Sequence, residues 1–328
     1  MSHPDASPET VFFIGLDVSS RDCWAAIVGK QPRRFLLSPE GADALAAWVG
    51  SSGPAGELRA VLEHTGVYSS AWASLLRERG IACALCNPKR IRHFAVATGQ
   101  RSKTDKADSK SILAFALHRL PAVSVELPQA QQDLDLLIRE RDRTIKKRVA
   151  LDNQLQALAF TPQRLALVQF ELQQEMAMYV QIEASLEAKI AAQMKSDERL
   201  CEANRLLRDM DGIGPVTSSV ICSQLDRVLD CNQKQLTALA GLAPSHRESG
   251  SSVRGRSRID KEGQPHLRKC LYMAAMTACQ HCPKLIALKA RLEAKGKPGK
   301  VVLIAIARQL LLMAQDVLKR GLLPALST

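Results

Sequence analysis

Aromatic side chains are scarce, 4% of the 328 residues, and this scarcity argues against one way of holding nucleic acid. A sheet that stacks unpaired bases needs exposed Phe, Tyr or Trp, whereas Trp24, Trp48 and Trp72 sit among apolar neighbours that suit a core. Cysteines are few and odd in number, nine in all, so reduced thiols are expected rather than a disulfide framework. Cys83–Cys86 and Cys279–Cys282 share the C-x-x-C spacing but stand too far apart in the chain to read as paired zinc ligands. Long hydrophobic runs are missing too. The best, Val301–Met313, is broken by Arg308, so no transmembrane helix is expected. Met1–Thr10 carries acids in place of a basic-then-apolar leader, which points to a cytoplasmic location.

Charge is present in excess of one sign. Lys and Arg number 45 against 33 Asp and Glu, a net +12. The surplus is uneven: residues 1–120 hold 15 basic and 11 acidic side chains, residues 121–200 hold 10 and 12, and residues 201–328 hold 20 and 10. A final third of net +10 attached to a nearly balanced remainder points to a polyanionic partner, most often nucleic acid.

Three blocks follow from the hydropathy pattern. Residues 1–122 alternate strand-like and helix-like runs. Val11–Val18 reads as a buried central strand, with Cys23–Val28 and Arg33–Leu37 after it as a meander. A helix is expected from Pro39, a strand over Leu58–Glu63, a helix over Tyr68–Arg79, a strand over Ile81–Leu85 ending at Asn87-Pro88, and a helix over Thr104–Leu120. Three strands, a helix, then strand–helix–strand–helix is the order of a ribonuclease-H-like (RuvC-like) α/β domain. Residues 123–200 are helical and almost free of glycine. Leu165, Val168, Leu172, Met176, Tyr179, Ile182, Leu186, Ile190 and Met194 recur every three or four positions, the stripe of one long coiled-coil-like helix. A second stripe precedes the expected bend at Thr161-Pro162. These stripes need covering, by each other or, as the preferred reading, by another protomer. Residues 201–328 form a mainly α C-terminal domain.

Two constellations carry chemistry. Asp17 ends the first strand, Glu63 ends the fourth, and Asp105 and Asp108 share one face at the start of the last helix. Paired as expected, the strands gather all four acids at one sheet edge. Two carboxylates about 4 Å apart repel by roughly 4 kcal/mol at an effective dielectric of about 20, so the cluster calls for a hard cation, Mg²⁺ or possible Mn²⁺. The other constellation runs from Gly241 to Arg268. Ser245, Ser249, Ser251, Ser252 and Ser257 lie there among Arg247, Arg254, Arg256, Arg258, Lys261 and Arg268. A serine hydroxyl needs a base or metal to become a nucleophile, and the cations suit phosphate. Composition does not choose among the five serines, and a basic loop that only grips a backbone fits equally. Upstream, Asp211-Gly212-Ile213-Gly214-Pro215 resembles the turn of a helix-hairpin-helix, which holds phosphates on backbone N–H groups. His64, His246 and His266 read as structural imidazoles.

These motifs together carry a family resemblance. FIGLDVSS, VLEHTGVY and KTDKADSK resemble the acid motifs of the DEDD transposases of bacterial insertion sequences, the IS110 family. DGIGPVTSSVI, GLAPSHRESG and HLRKCLYMAAM are similar to successive signatures of that family's C-terminal domain. The resemblance spans about residues 11–280 in order. It implies Mg²⁺ held by Asp17, Glu63, Asp105 and Asp108, and a nucleophilic serine that maps onto Ser249, before the glycine of the SG step. It also implies donor and target DNA as substrates and a noncoding bridge RNA as guide. The expectation is a DNA recombinase that works through a phosphoserine link, as a homo-oligomer (dimer or tetramer) in the bacterial cytoplasm. Acids and serine in different domains leave room for a site completed across protomers. A RuvC-type junction nuclease, an actin-like ATPase and a noncatalytic DNA-binding protein are the rival readings.

Overall fold

The computed structural model describes residues 11–322, apart from 54–55, 65, 100–103, 161–165, 246–247, 250–252 and 255–257. The chain forms two compact units, with the boundary between Val125 and Glu126. The first is a mixed α/β layer: β1 (Val11–Val18), β2 (Asp22–Ala26), β3 (Arg33–Leu36), α1 (Pro39–Gly50), β4 (Glu57–Glu63), α2 (Val67–Arg77), β5 (Ala82–Cys86), α3 (Pro88–Ala97) and α4 (Asp105–Arg119). The sheet order is β3-β2-β1-β4-β5. β1–β2 and β2–β3 are antiparallel, while β1–β4 and β4–β5 are parallel. This arrangement is compatible with a ribonuclease-H-like domain.

β1 is apolar up to Asp17 because both its faces are covered. Ile14 and Leu16 pack with Leu62, Leu45, Trp72 and Leu76 on one side. Phe13 packs with Val61, Ile112 and Phe115 on the other. Gly15 lies directly under α4, where an added Cβ would stand 2.4 Å from the Leu113 nitrogen and 2.5 Å from the Ser109 carbonyl oxygen. Only glycine lets the helix approach that closely. Arg59, early in β4, donates to the Pro121 carbonyl just beyond the end of α4 at 3.0 Å. The helix therefore runs antiparallel to β1 and β4, and its first turn lies at the strands' C-terminal edge.

The strands and the first, second and last helices of this unit fall within a residue or two of expectation. The exception is α3, where Asn87-Pro88 was read only as the end of a strand. Asn87 caps the helix by accepting from the Lys89 N–H at 2.8 Å, with Pro88 at its first position, a pairing that starts helices as readily as it ends strands.

The second unit is mostly helical: α5 (Gln129–Leu158), α6 (Ala166–Ser196), α7 (Glu198–Arg208), α8 (Pro215–Cys222), α9 (Leu225–Asp230), α10 (Gln233–Leu239), four two-residue strands, α11 (Pro265–His281), α12 (Pro283–Ala294) and α13 (Gly299–Leu322). α5 and α6 lie antiparallel against each other. Arg141 pairs with Glu187 at 2.8 Å and Arg148 with Glu183 at 2.8 Å, and Lys147 stands 5.8 Å over the Tyr179 ring. The stripes thus cover one another only in part: Leu172, Met176, Tyr179 and Leu186 are half-buried, while Val149, Val168 and Ile182 of the stripes, and Phe160, Leu167 and Phe170 beside them, remain exposed. The Thr161-Pro162 bend lies outside the described residues. α13 is, by length and composition, apolar enough to cross a membrane, which the reading of Arg308 as an interruption did not anticipate. Its Val302, Ile306, Leu310, Leu311 and Leu318 are buried in the helical core beside Leu207, Leu271 and Leu285, so it serves as the central helix of this unit. All nine cysteines are free thiols; burial pushes Cys86 up to about 11 and Cys222 up to about 12.

Candidate functional site

The acids are positioned by register. Leu16 pairs with Leu62 across the parallel β1–β4 ladder, so Asp17 and Glu63 follow side by side at the C-terminal ends of adjacent strands. Each lies two residues beyond a position on the α4 face, Gly15 and Val61, and side chains two apart share a face. Asp105 and Asp108 occupy the first turn of α4 at that same edge, with Thr104 capping the helix by accepting from the Ala107 N–H at 3.2 Å. Asp17, Glu63 and Asp108 are partly buried and Asp105 is exposed. Among the described residues, no three His, Cys, Asp or Glu side chains converge as a ready metal cage. The four acids share an edge but are not closed around a point.

A nearby carboxylate has a different role. Asp22 is buried, accepts from Ser19 Oγ at 2.8 Å and from Arg34 Nε at 2.8 Å, and clamps the β1–β2–β3 meander. Burial works against its charge, but the bonds from Arg34 and Ser19 prevail and hold it below its ordinary range.

In the second unit, Gly212 has φ +85°, and a Cβ there would stand 2.5 Å from the Ala278 Cβ and 2.6 Å from its nitrogen. Its glycine is a packing requirement against α11. Gly214, by contrast, is the N-cap of α8, no side chain caps it, and a Cβ would meet open space. We expect Gly212→Ala to lower stability by about 3 kcal/mol through strain and overpacking. Gly214→Ala should leave the melting midpoint nearly unchanged and lower DNA affinity. Thermal melts and filter binding of the two variants separate the roles.

The Gly241–Arg268 segment carries short strands: β6 (Pro244–Ser245) pairs with β9 (Arg258–Ile259), and β7 (Glu248–Ser249) with β8 (Val253–Arg254). Ser249 pairs in register with Val253. Arg247 and Arg256 lie outside the described residues, as does His246. Arg258 is exposed on β9, and Lys261 is exposed in a left-handed conformation, φ 58°. Arg268 instead turns inward and donates to the Ala240 carbonyl at 3.3 Å, which makes it a clamp at the segment's base.

Two family models match the chain, one over the acids and one over the serine segment. A transposase model of the DEDD type matches residues 14–159, and the model described as the transposase IS116/IS110/IS902 family matches residues 204–290. The chain belongs to the IS110 family of transposases. It is accordingly a DNA recombinase, and its DEDD domain implies dependence on a divalent metal. Among similar proteins, the "Pilin gene-inverting protein" of Moraxella bovis is 25% identical over 94% of this chain and 96% of its own length. Its namesake in Moraxella lacunata is 24% identical over the same shares. The "Probable family 20 transposase" of Pseudomonas aeruginosa is 25% identical over 73% of this chain and 77% of its own length.

Within this IS110-family transposase, Asp17, Glu63, Asp105 and Asp108 all fall in the first matched segment, and Gly212, Gly214 and Ser249 in the second. An all-oxygen donor set at one strand edge fits a hard divalent cation. Beside Pro215 and Val216 at the start of α8 opens a cavity of about 360 Å³, walled by Ile138, Ile190 and Met194, with Arg141, Lys195 and Arg208 also lining it. Sequence reasoning missed one contact. His266 Nδ1 lies 2.7 Å from Asp142 Oδ2, joining α11 to a residue of α5 that no motif singled out.

Proposed function

We propose that this transposase cleaves and rejoins donor and target DNA through a phosphoserine intermediate on Ser249, with Mg²⁺ or Mn²⁺ held by Asp17, Glu63, Asp105 and Asp108. The observation that carries the reading is the shared edge. Asp17 and Glu63 end neighbouring parallel strands on the α4 face, and the first turn of α4 brings two more carboxylates there. A bound divalent ion would supply charge to a phosphate oxygen and stabilise the attacking and leaving oxygens. The chain's own part is to fix the ligands on strand ends and to present Ser249 in a basic segment where cations offset the charge that develops on phosphorus. A serine ester conserves the phosphodiester bond energy, so strands rejoin without a high-energy cofactor. The Moraxella relatives are named for inverting a pilin gene, and an inversion likewise requires cut strands to be rejoined.

The finer expectations are part of the same proposal. A bridge RNA guides donor and target choice, consistent with the net charge of +12 and with aromatics at only 4% of the residues. Residues 1–122, 123–200 and 201–328 act as metal-binding, linking and serine-bearing segments. The exposed apolar residues of the α5–α6 hairpin support a homo-oligomer, dimer or tetramer. Arg247, Arg254, Arg256, Arg258 and Lys261 grip phosphates, while Arg268 supports them from below. Neutralising Arg254, Arg256 and Arg258 should therefore reduce the slope of log affinity against log salt by about 2 to 3. Removing any three cations of the first unit should change it less, as fluorescence anisotropy across a salt series will read.

The test of the proposal is to trap the adduct on a plasmid carrying the coding segment with its native flanks, digest it, and map the nucleotide-bearing residue by mass spectrometry. Nucleotide on Ser249 supports the reading. Nucleotide on Ser251 or Ser252 reassigns the nucleophile. Cut DNA with no protein attached returns the molecule to the junction-nuclease alternative.

A further inference from the structure

We propose that the cavity among α5, α6, α7 and α8 takes one unpaired nucleotide of the DNA substrate, its base on the apolar floor and its phosphate against Lys195 and Arg208. Every residue that lines the cavity lies on one of those four helices. The site is therefore independent of which serine attacks and of which acids hold metal.

The cavity is both roomy and open. Its volume of about 360 Å³ falls in the range of roughly 300 Å³ upward that suits a small molecule or a single nucleotide. Ile138 of α5 and Ile190 and Met194 of α6 are buried and make the floor. Ala191, Lys195, Cys201, Arg208 and Val216 line the same space and are exposed to solvent, so a ligand reaches the floor past them. None of the lining residues is aromatic.

Charge and hydrogen bonding narrow the ligand. Glu187 is the one acid of the lining, and it is held by Arg141 at 2.8 Å. The side chains of Lys195 and Arg208 have no ion-pair partner among the described residues. Asn204 accepts from Ser218 Oγ through its carboxamide oxygen, which leaves its NH₂ group to donate to a ligand. Pro215 and Val216 open α8, and no side chain caps that helix, so its dipole adds to the positive potential.

These features suit a ligand that is anionic at one end and flat and apolar at the other. An apolar side chain from a second copy would fill the floor but take both cations out of water without a partner. An intact duplex offers phosphates to the cations but keeps its bases stacked, and the floor stays empty. A nucleotide swung out of the stack supplies both parts, and its base edge carries the acceptor that the Asn204 NH₂ group lacks. DNA is the source favoured by the activity of the family. A site that holds one base outside the duplex keeps the strands apart at that point, as strand exchange requires.

The probe for the test is a DNA duplex with a single bulged aminopurine, an adenine analogue whose emission is quenched by stacking. Bound by the full chain, its emission should rise, because no aromatic ring lines the cavity. Affinity should exceed that for the same duplex with an abasic bulge by about tenfold. Ala191→Met and Val216→Met fill the mouth from exposed positions; each should keep the melting midpoint and remove both the rise and the preference. Lys195→Gln with Arg208→Gln should weaken binding of either bulge and reduce the slope of log affinity against log salt by up to about 2. Cys201 is the one exposed thiol of the nine, and the aminopurine bulge should slow its alkylation several-fold more than the abasic one. Equal affinity for the two bulges, with Cys201 alkylated alike beside either, overturns the proposal. An RNA bulge bound more tightly than the DNA bulge overturns the choice of DNA. A preference that survives both methionine variants, with Ala191→Met altering the mass of the chain in solution, makes the cavity a contact between copies and overturns it as well.

Discussion

Ser249→Ala should yield no protein–DNA adduct that survives denaturation, and recombination should drop by about 10⁴-fold or more. The size follows from what is removed. A recombinase that exchanges strands without a cofactor keeps the bond energy in its ester, so without the hydroxyl there is no intermediate to rejoin. Affinity for DNA should change little, because the cations that bind phosphate are untouched. The expected pattern is full binding with no covalent product, read by anisotropy and by denaturing gel on one preparation. Ser249, and not Ser251 or Ser252, precedes the glycine of the SG step, and it pairs with Val253 in β7–β8. The double change Ser251→Ala with Ser252→Ala should on that reading keep adduct formation within a few-fold of the original. An adduct that persists in Ser249→Ala and vanishes in the double variant would reverse the assignment.

The first unit was legible because its central strands are buried on both faces. A run such as Val11–Val18 allows few alternatives when Phe13 must meet α4 and Ile14 must meet α1 and α2. The placement of the acids at strand ends and in the first turn of a capped helix followed from the same logic. α3 escaped because an Asn-Pro pair ends one element and begins the next, and local chemistry alone does not say which matters more. The Gly241–Arg268 segment carried little signal of any period. Its strands are two residues long and depend on pairings such as Pro244 with Ile259, which no hydropathy pattern encodes. The Asp142–His266 contact joins residues far apart in sequence, so His266 looked like any other imidazole until the packing of the helices placed a carboxylate against one nitrogen. The inward turn of Arg268 was hidden for a similar reason: its partner is a backbone carbonyl, and composition records only its charge.

The acids make the other large prediction. Asp17→Asn and Glu63→Gln should each reduce strand cleavage at least about a thousandfold, because both remove a charged oxygen ligand where phosphate charge must be stabilised. Chelation with EDTA should do the same to the unmodified chain, with activity returning on addition of Mg²⁺ or Mn²⁺. These substitutions keep shape and remove one of several like charges gathered at an edge, so the melting midpoint should hold or rise. Asp22→Asn is the control that separates chemistry from folding. Asp22 lies one strand away, is buried, and holds Arg34 and Ser19, so its loss should cost about 2 kcal/mol of stability and leave cleavage per folded molecule close to normal. A scan in which Asp17→Asn and Asp22→Asn lose stability alike, with activity tracking the folded fraction in both, would make Asp17 another structural carboxylate. Loss of cleavage by Asp17→Asn in a fully folded protein, unrelieved by excess metal, places the requirement on the ligand itself.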